Sequence, residues 1–340
     1  MKKALTLFIM VCIFVAVLSG CSTNSAGAGS DTITIAWLPN DSGDDKSASR
    51  EEIGKIIEGA TGKKVELQTT TDYTIAIEAV ANGSADLAYL GPQGYVEAHD
   101  KNEKVLPLVV PSGESGTLDD AKYYSWLSVK KGNEAAYQDG DGFKIDNIAG
   151  KKMSFVSTSS TSGFKVPTSG IVGYFSKMDQ YKTLTADDLM EGGSGKFFSE
   201  VLFGNSHQGS AVNLLSGKAD VAAFCDFCVS NYVELADGED NKTGAVYQVK
   251  ADAEEPFNAF PGEQFEVISV TPVLNTPFVV NTEKLDQATV DKLIEAFTSD
   301  EVANNPKIFA PKGGLFTKKG NEKMLSVEDS WFEPIRELSK

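Results

Sequence analysis

A cluster of hydroxyl side chains stands out in the segment FVSTSSTSGFKVP, residues 155–167. Hydroxyls that follow a strand and precede a glycine and a proline can gather at the N-terminus of a helix. Free backbone N–H groups and the helix dipole favour an anion at such a position. The alternative is a solvated loop. The segment therefore predicts either a surface loop or an anion site formed by Ser160, Thr161 and Ser162.

Two further polar residues have the chemistry to complete such a site. His207 lies just ahead of the predicted helix QGSAVNLL. A capping or surface residue is one interpretation; if His207 lies in a cleft, we expect it to donate to an oxyanion and to titrate near neutral pH. Asp226 follows the predicted strand ADVAAF, at the carboxyl edge where open α/β sheets bind ligands. Its carboxylate would accept a hydrogen bond from a ligand proton or an ammonium group. For Asp226 the alternative is an ordinary surface carboxylate.

Alternating strand and helix patterns dominate the first hundred residues. The predicted elements are the strand TITIAWLP, the helix SASREEIGKIIEGATG, the strand KKVELQTT, the helix DYTIAIEAVANG and the strand ADLAYLG. The first helix is expected to use Ser47 or Ser49 as its cap, and the second to end at Gly83. Strands separated by helices in this way predict a parallel sheet with both faces covered.

The sequence also contains an internal echo. AVANGSADLAYL, around Gly83 and Asp86, is matched by NLLSGKADVAAF, around Gly217 and Asp220. Chance similarity is one interpretation, and two related α/β lobes are the other. Since no linker rich in proline or glycine separates the halves, we expect strands near residues 123–131 and 268–280 to cross between lobes. The predicted helix DQATVDKLIEAFTS would return to the first lobe, leaving an interlobe cleft for a small ligand.

Residues 1–21, MKKALTLFIMVCIFVAVLSGC, have the form of an export signal. Lys2 and Lys3 precede an apolar stretch that is shorter than the roughly 20 residues of a membrane span. The ending LSGC resembles the lipobox of bacterial lipoproteins, in which Cys21 becomes the lipidated N-terminus; a secreted protein with a free Cys21 is the alternative. Residues 22–31 are then a flexible tether that holds a soluble body at the membrane surface.

Cys225 and Cys228, in CDFC, are the cysteines that remain when the signal and Cys21 are set aside. A local disulfide, two buried thiols and half of a metal site are the alternatives. Zinc would need two more ligands, and the chain has only two histidines. We therefore expect no metal and no cofactor.

The formal net charge is −17, and loss of the basic signal makes the mature chain more acidic. Such a chain is a poor partner for nucleic acid and gains solubility from its charge. An anionic ligand would have to be bound by local hydrogen-bond donors despite the repulsion from the negative charge of the protein.

Three segments together resemble the PhnD-like family of phosphonate- and phosphite-binding lipoproteins and periplasmic proteins of ABC importers. They are TDYTIAIEAVANGSADLAYLGPQGYVEA, STSGFKVP and GNSHQGSAVNLLSGKADVAAFCD, in the order the family has them. The resemblance covers nearly the whole mature chain. It implies a two-lobed type II periplasmic-binding-protein fold of the α/β class, each lobe a mixed, mostly parallel sheet flanked by helices, with the ligand cleft between lobes. We expect lobe 1 to comprise residues 32–125 and 275–340, and lobe 2 residues 126–274.

Carried over residue by residue, the resemblance implies ligand-binding roles for Tyr73, Tyr123, Ser160, Thr161, Ser162, His207 and Asp226. For the second tyrosine, Tyr124 is an alternative one residue away. Taken one by one and without the resemblance, tyrosines of this kind are expected in the core rather than in the cleft; they are Tyr73, Tyr89, Tyr95, Tyr123 and Tyr124. The cysteines of CDFC and the insert at residues 235–266 depart from the family pattern.

The implied function is that of a monomeric, lipid-anchored receptor that binds a small phosphorus oxyanion and delivers it to a membrane permease. The same fold with another small ligand is one alternative, and an adhesin or structural protein is another. Because Ser, His and Asp are all present, a hydrolase is a further alternative, although the sequence has no GxSxG elbow. The segment GGSGKFF lacks the hydroxyl residue and the spacing of a Walker motif. We therefore expect a binding protein and no enzyme.

Overall fold

The computed structural model describes residues 31–41, 46–140, 142–311 and 314–338. The predicted signal, Cys21 and residues 22–30 of the predicted tether lie outside the described residues and stay predictions. No helix in the described part of the chain combines the length and the apolar character needed to cross a bilayer.

Strands and short helices alternate along the chain. The strands are β1 (Thr32–Trp37), β2 (Lys64–Thr69), β3 (Leu87–Tyr89), β4 (Val105–Pro111), β5 (Lys122–Lys130), β6 (Gln138–Asp139), β7 (Gly142–Phe143), β8 (Lys152–Phe155), β9 (Glu200–Phe203), β10 (Val221–Cys225), β11 (Val233–Asp237), β12 (Val246–Val249), β13 (Gln264–Leu274), β14 (Phe278–Asn281), β15 (Phe309–Ala310), β16 (Phe316–Thr317) and β17 (Met324–Ser326). The helices are α1 (Ser47–Thr61), α2 (Tyr73–Ala81), α3 (Pro92–Lys101), α4 (Val166–Phe175), α5 (His207–Leu215), α6 (Asp226–Val229), α7 (Gln287–Phe297), α8 (Asp300–Ala303) and α9 (Glu333–Glu337).

The first sheet has the strand order β17-β4-β14-β3-β1-β2. Strand β1 pairs parallel with both β2 and β3, which confirms the alternation predicted for the first hundred residues. Ile53 and Ile57 of α1 pack into one core cluster with Leu293 and Phe297 of α7. Helix α7, which comes after the chain has returned from the second sheet, therefore packs on the first sheet, as predicted.

The second sheet has the order β11-β12-β13-β5-β10-β8-β9. Only β10 with β8 and β8 with β9 are parallel there, and antiparallel pairings also outnumber parallel ones in the first sheet. The sheets are mixed, as predicted, but "mostly parallel" is wrong. The reason is that β5, β13 and β14, which carry the chain between the sheets, run against their neighbours.

Two paired strands join the sheets. The chain leaves the first sheet after β4, enters the second at β5, and returns from β13 to β14. Strands β5 and β13 pair antiparallel from Lys122 opposite Leu274 to Lys130 opposite Phe265. The predicted crossings fall on these strands and on the connection to β14, whereas the exact lobe boundaries at residues 125 and 274 stay a prediction.

The internal echo corresponds to the same geometry in both sheets. Gly83 and Gly217 both have positive φ, 78° and 74°, directly after α2 and α5. The Asp86 carboxylate accepts the backbone N–H of Thr34 at 2.8 Å, and the Asp220 carboxylate accepts that of Lys152 at 2.9 Å. Each aspartate thus ties a helix-to-strand turn to the neighbouring parallel strand, which is a structural role.

The start of α1 differs from the prediction. Lys46 occupies the N-cap position and makes no side-chain cap bond, while Ser47 is the first helical residue and Ser49 is buried one turn further on. The predicted serine caps are wrong because Lys46 already has helical backbone angles, so the helix begins before either serine. This places the Lys46 side chain at the edge of the site described below.

Candidate anion-binding site

The hydroxyl cluster forms the start of a helix. Ser160 is the N-cap, and its Oγ accepts the Gly163 N–H at 3.1 Å. Thr161–Lys165 forms one π-helical turn that continues directly into α4. Ser160, Thr161 and Ser162 are each no more than 2 % exposed. The predicted helix start is confirmed, and the alternative of a solvated loop is wrong.

Close packing fixes this turn. A β-carbon on Gly163 would lie 2.2 Å from Cγ2 of Val156, so that only glycine fits. The Gly163 carbonyl accepts the Val156 N–H at 3.1 Å, and the Ser162 carbonyl accepts the Ser125 hydroxyl at 2.7 Å. Because the first N–H groups of a helix have no carbonyl one turn earlier, the amides of Thr161 and Ser162 are left to bind a partner from outside the helix.

Thr161 also contacts helix α3, which connects β3 and β4 of the first sheet. Its Oγ1 accepts the Gln93 N–H at 2.8 Å. Gly91 allows this approach, since a β-carbon there would lie 2.9 Å from the same oxygen. An oxygen that accepts one hydrogen bond still has its own proton to donate. Elements of both sheets therefore meet at the hydroxyl cluster.

His207 opens α5 and is held as a neutral donor. The Cys225 N–H donates to Nδ1 at 3.0 Å, so the ring proton resides on Nε2, which lies 3.4 Å from Ser160 Oγ. Burial, and then the charge of Lys46, lower the pKa of His207 to about 3. The prediction that His207 titrates near neutral pH is wrong, because its imidazole is desolvated.

Asn40 joins the end of β1 to α5, and sequence reasoning missed it. Its Nδ2 donates to the Tyr73 hydroxyl at 2.5 Å, while its Oδ1 accepts the His207 N–H at 3.1 Å. Its carbonyl accepts from Gln208 at 3.2 Å. The rule that drew attention to Asp226, a polar residue at the carboxyl edge of a strand, also applies to Asn40 and was the available signal.

These groups surround a small cavity of about 30 Å³. It is lined by Leu38, Asn40, Tyr73, Tyr89, Gly91, Tyr123, Ser160, Thr161, Ser162, His207, Phe227, Cys228 and Thr276. Six of the seven predicted ligand-binding residues are in this set, and none of the lining side chains is a carboxylate, a lysine or an arginine. Burial raises the pKa of Tyr123, and hydrogen bonds with Ser162 and Thr161 partly offset that effect. The small cavity is thus a desolvated space lined by uncharged donors.

Asp226 lies elsewhere, on a larger cleft of about 700 Å³. The larger cleft shares Tyr89, Tyr123, Phe227 and Thr276 with the small cavity. The half-buried Asp226 carboxylate accepts the Tyr124 N–H at 2.9 Å, and burial raises its pKa to about 6. The structure therefore places Asp226 beyond the shared wall, next to the hydroxyl cluster's cavity but outside it.

The two adjacent tyrosines, Tyr123 and Tyr124, differ in which cavity they line. Tyr123 lines both cavities and packs edge-on against Phe227, with ring centroids 5.1 Å apart. Tyr124 lines only the larger cleft. Lys46, which is 4 % exposed, stands over the Phe227 ring at 5.4 Å and also lines the larger cleft. Its position was not foreseen, because nothing in the acidic segment around it indicates burial.

Cys225 and Cys228 form a disulfide, so the alternative of two free thiols is wrong. The Cys228 carbonyl accepts from the Gln208 side chain at 3.0 Å. Both sulfur atoms and a ring nitrogen of His207 lie within 4.8 Å of one another. Since the disulfide leaves neither sulfur as a thiolate, this group is not in a form that ligates a metal. The disulfide brackets Asp226 and Phe227 and so holds the wall between the two cavities.

Comparisons with known proteins agree with this geometry. Residues 35–316 match the family model described as "ABC transporter, phosphonate, periplasmic substrate-binding protein". The chain is 26 % identical over 304 residues to the phosphate-import protein PhnD of Mycolicibacterium smegmatis, covering 88 % of this chain and 80 % of that protein.

Solved structures give the same fold. A binding-protein component of an ABC phosphonate transporter from Pseudomonas aeruginosa aligns with a TM-score of 0.63 at 20 % identity, covering 90 % of this chain and 85 % of that one. A PhnD protein of Prochlorococcus marinus in complex with methylphosphonate also has a TM-score of 0.63, at 14 % identity, with 91 % and 97 % covered. The fold is the two-lobed α/β fold of periplasmic binding proteins. The chain belongs to the family of periplasmic substrate-binding proteins of ABC phosphonate transporters.

Proposed function

We propose that the small cavity binds the tetrahedral oxyanion of a phosphonate, phosphite or related phosphate compound, and that the protein delivers this ligand to the permease of its importer. The observation that carries the proposal is the buried helix start, where uncharged donors converge on one cavity. Hydrogen bonds to a charged group are stronger than neutral ones and strengthen further where water is excluded.

Each donor has a stated role in this proposal. The amides of Thr161 and Ser162 and the three hydroxyls of the cluster bind the phosphoryl oxygens, as anions are bound at helix N-termini. His207 donates through Nε2, which its contact with Cys225 keeps protonated. Tyr73 and Tyr123 wall the remaining substituent. Because no lysine or arginine side chain lines the small cavity, the anion can be released without separating a buried ion pair.

Asp226 has a different role, on the side of the substituent. Its position beyond Tyr123 and Phe227 favours contact with a proton or an amine carried by the ligand over contact with the phosphoryl oxygens. A carboxylate there would disfavour sulfate, which carries neither at neutral pH. Asp226 thereby discriminates among tetrahedral anions.

The tautomer of His207 argues against a hydrolase. A serine nucleophile needs an imidazole whose Nε2 can accept its proton, and in a triad the other nitrogen donates to a carboxylate. Here Nδ1 accepts a backbone N–H, so Nε2 already carries a proton, and the Asp226 carboxylate is bonded to the Tyr124 N–H. We therefore infer a protein that binds stoichiometrically and does not turn over its ligand.

The location completes the proposal. Family membership implies an extracytoplasmic protein with a permease partner. We infer that lipid on Cys21 anchors the mature chain, that residues 22–31 act as the tether and that the protein works as a monomer. An acyl chain with a flexible tether keeps the binding site close to the permease.

Titration calorimetry and thermal shift test the site directly. The panel comprises methylphosphonate, 2-aminoethylphosphonate, phosphite, phosphate and sulfate, with wild type, Ser160→Ala, Asp226→Asn and the exposed control Ser84→Ala. We expect the phosphorus oxyanions to bind and to raise Tm, Ser160→Ala to weaken all of them about tenfold or more, and Ser84→Ala to match wild type. Asp226→Asn should reduce the ratio between the affinity for the phosphorus oxyanions and the affinity for sulfate. Failure of every phosphorus oxyanion to bind, or unchanged affinity in Ser160→Ala, would overturn the proposal; product release from activated esters would restore the hydrolase.

A further inference from the structure

The larger cleft continues the small cavity through a wall that both share. Tyr89, Tyr123, Phe227 and Thr276 line both spaces. The small cavity, at about 30 Å³, has little room beyond a tetrahedral head group. A substituent on the phosphorus must therefore pass these four residues and enter the larger cleft, whose roughly 700 Å³ is in the range of sites for organic ligands.

The walls of the larger cleft carry apolar and aromatic groups on both sides. From the second sheet come Tyr124, Trp126 and Tyr247, with the latter two rings 4.5 Å apart and inclined by 30°. From the opposite side come Phe309 and Leu315. Trp126, Tyr247, Phe309 and Leu315 are each no more than 4 % exposed and offer little surface to a ligand. The half-buried Tyr124 is the most accessible ring of this set.

Leu235 in β11 lines the same cleft and is 42 % exposed. Because it lines a concave surface, this side chain is available to pack against a ligand in the cleft. Leu235 lies opposite Tyr247 in the strand register, so its side chain extends the aromatic wall.

Four charged side chains of the larger cleft are engaged with the protein itself. Lys319 Nζ lies 3.5 Å from the Asp240 carboxylate. Lys250 donates to two backbone carbonyls at 2.8 and 2.9 Å, and Glu322 accepts two backbone N–H groups. Since these charges already have partners in the protein, they do not compete with the apolar and aromatic side chains of the cleft for contact with a substituent.

We propose that the preferred ligand of this site is a phosphonate or phosphate monoester whose substituent is an uncharged ring of at least phenyl size, packed against Tyr124 and Leu235. The inference rests on the proposed function, because the phosphoryl group must first occupy the small cavity. Asp226, at the entrance, is placed to accept a hydrogen bond from a hydroxyl or amine near the phosphorus.

Calorimetry on matched pairs of compounds tests the inference: methylphosphonate against benzylphosphonate, and phosphate against phenyl phosphate. We expect the ring compound of each pair to bind at least tenfold more tightly. Leu235→Ala should lower the affinity for the ring compounds three- to tenfold and the affinity for the small compounds less than twofold. Tyr124→Leu is a second variant with the same expected result. Leu106→Ala, at an exposed leucine that lines neither space, is the matched control.

The outcomes separate this inference from the proposed function. If small and ring compounds bind equally, or if Leu235→Ala and Tyr124→Leu weaken both classes to the same extent, the ring preference is wrong while the anion site stands. If no phosphorus compound binds and Ser160→Ala changes nothing, the proposed function itself has failed. Thermal melting of each variant shows whether it is folded before its affinities are compared.

Discussion

The small cavity and the larger cleft adjoin one another but are built from different side chains. The small cavity is lined by buried, uncharged donors supplied by a helix start, a neutral imidazole and tyrosines. The larger cleft carries lysines and acids, most of them partly exposed, together with rings. The small, buried cavity suits one constant chemical group, whereas the larger and more exposed cleft has room for a variable one.

The energetic reason lies in desolvation. Burying an unpaired lysine beside the anion would cost several kcal/mol before any attraction is gained. A neutral hydrogen bond contributes about 0.5–1.5 kcal/mol net, and more to a charged partner, without that cost. Several neutral donors can therefore hold an anion in an acidic protein without that cost. The charged side chains lie in the larger cleft, where all but a few, such as Lys46 and Glu322, are at least partly exposed.

Among the variants considered, Gly163→Ala should have the largest effect on the small cavity, and it therefore tests the comparison with the larger cleft most directly. The added methyl group would collide with Val156, and the turn that presents the amides of Thr161 and Ser162 would have to shift. We expect at least a hundredfold loss of affinity for methylphosphonate by calorimetry, together with destabilisation of about 1–3 kcal/mol.

The matched control is Gly170→Ala, in the same helix. Nothing lies within 4 Å of a β-carbon at Gly170, so alanine should stabilise the helix by about 0.5–1 kcal/mol and leave affinity unchanged. Equal binding by Gly163→Ala and Gly170→Ala would show that the geometry of the turn does not matter.

The pH dependence of stability distinguishes the two regions by sign. The pKa of His207, in the small cavity, is lowered from 6.5 to about 3. Between these values the unfolded chain binds a proton that the folded protein does not, so stability is lost as pH falls from about 6.5 to about 3. The pKa of Asp226, in the larger cleft, is raised from 3.8 to about 6. Here the folded protein binds the extra proton, and stability is gained as pH falls from about 6 to about 4.

Denaturant titrations at about pH 7 and pH 4.5 measure these opposing contributions. Relative to wild type, His207→Asn should lose about 2 kcal/mol less stability on acidification, because one pKa unit corresponds to about 1.4 kcal/mol. Asp226→Asn should lose more than wild type, since the compensating carboxyl is gone. Identical losses in wild type and His207→Asn would mean that the imidazole is not held neutral in the folded protein.

Reduction of the disulfide should affect both regions moderately. The Cys225 N–H sets the tautomer of His207, and the Cys228 carbonyl holds Gln208. We expect a three- to tenfold rise in Kd for methylphosphonate after treatment with a dithiol, and the same in the double variant Cys225→Ser/Cys228→Ser. Nitrogen NMR of the His207 ring should show a mixed tautomer. Unchanged affinity with an unchanged ring spectrum would assign the disulfide to stability alone.

The smallest effect is expected at the rim. Lys319 and Asp240 form an ion pair at 3.5 Å with both side chains more than half exposed, and such pairs contribute little. Lys319→Ala should change Kd for methylphosphonate by less than twofold, measured by calorimetry at low and high salt. A tenfold change would mean that charge in the larger cleft reaches the small cavity.

Local signals in the sequence were sufficient for part of the molecule. The capping serine, the glycine that follows and the strand before them predicted the helix start at Ser160, because capping and close approach depend on neighbouring residues. The paired glycine and aspartate units around Gly83 and Gly217 predicted equivalent turns in both sheets, for the same reason.

Long-range contacts decided the rest. Asp226 does follow its strand as predicted, yet the Tyr124 N–H holds its carboxylate towards the larger cleft. The protonation of His207 depends on Cys225, which approaches it only in the folded chain. The antiparallel share of the sheets was missed because the direction of β5 against β13 is fixed by the fold and not by either strand's pattern.

The oxygen of Thr161 gives the two halves of the protein a common energetic term. It accepts from Gln93 on one side and, in the proposed complex, donates to the guest on the other. Hydrogen bonds in such a chain polarise and reinforce each other. Ligand binding and the contact between Gln93 and Thr161 would therefore each strengthen the other through a single atom. A ligand that lacks an acceptor at that point would leave the hydrogen bond between Gln93 and Thr161 without this reinforcement.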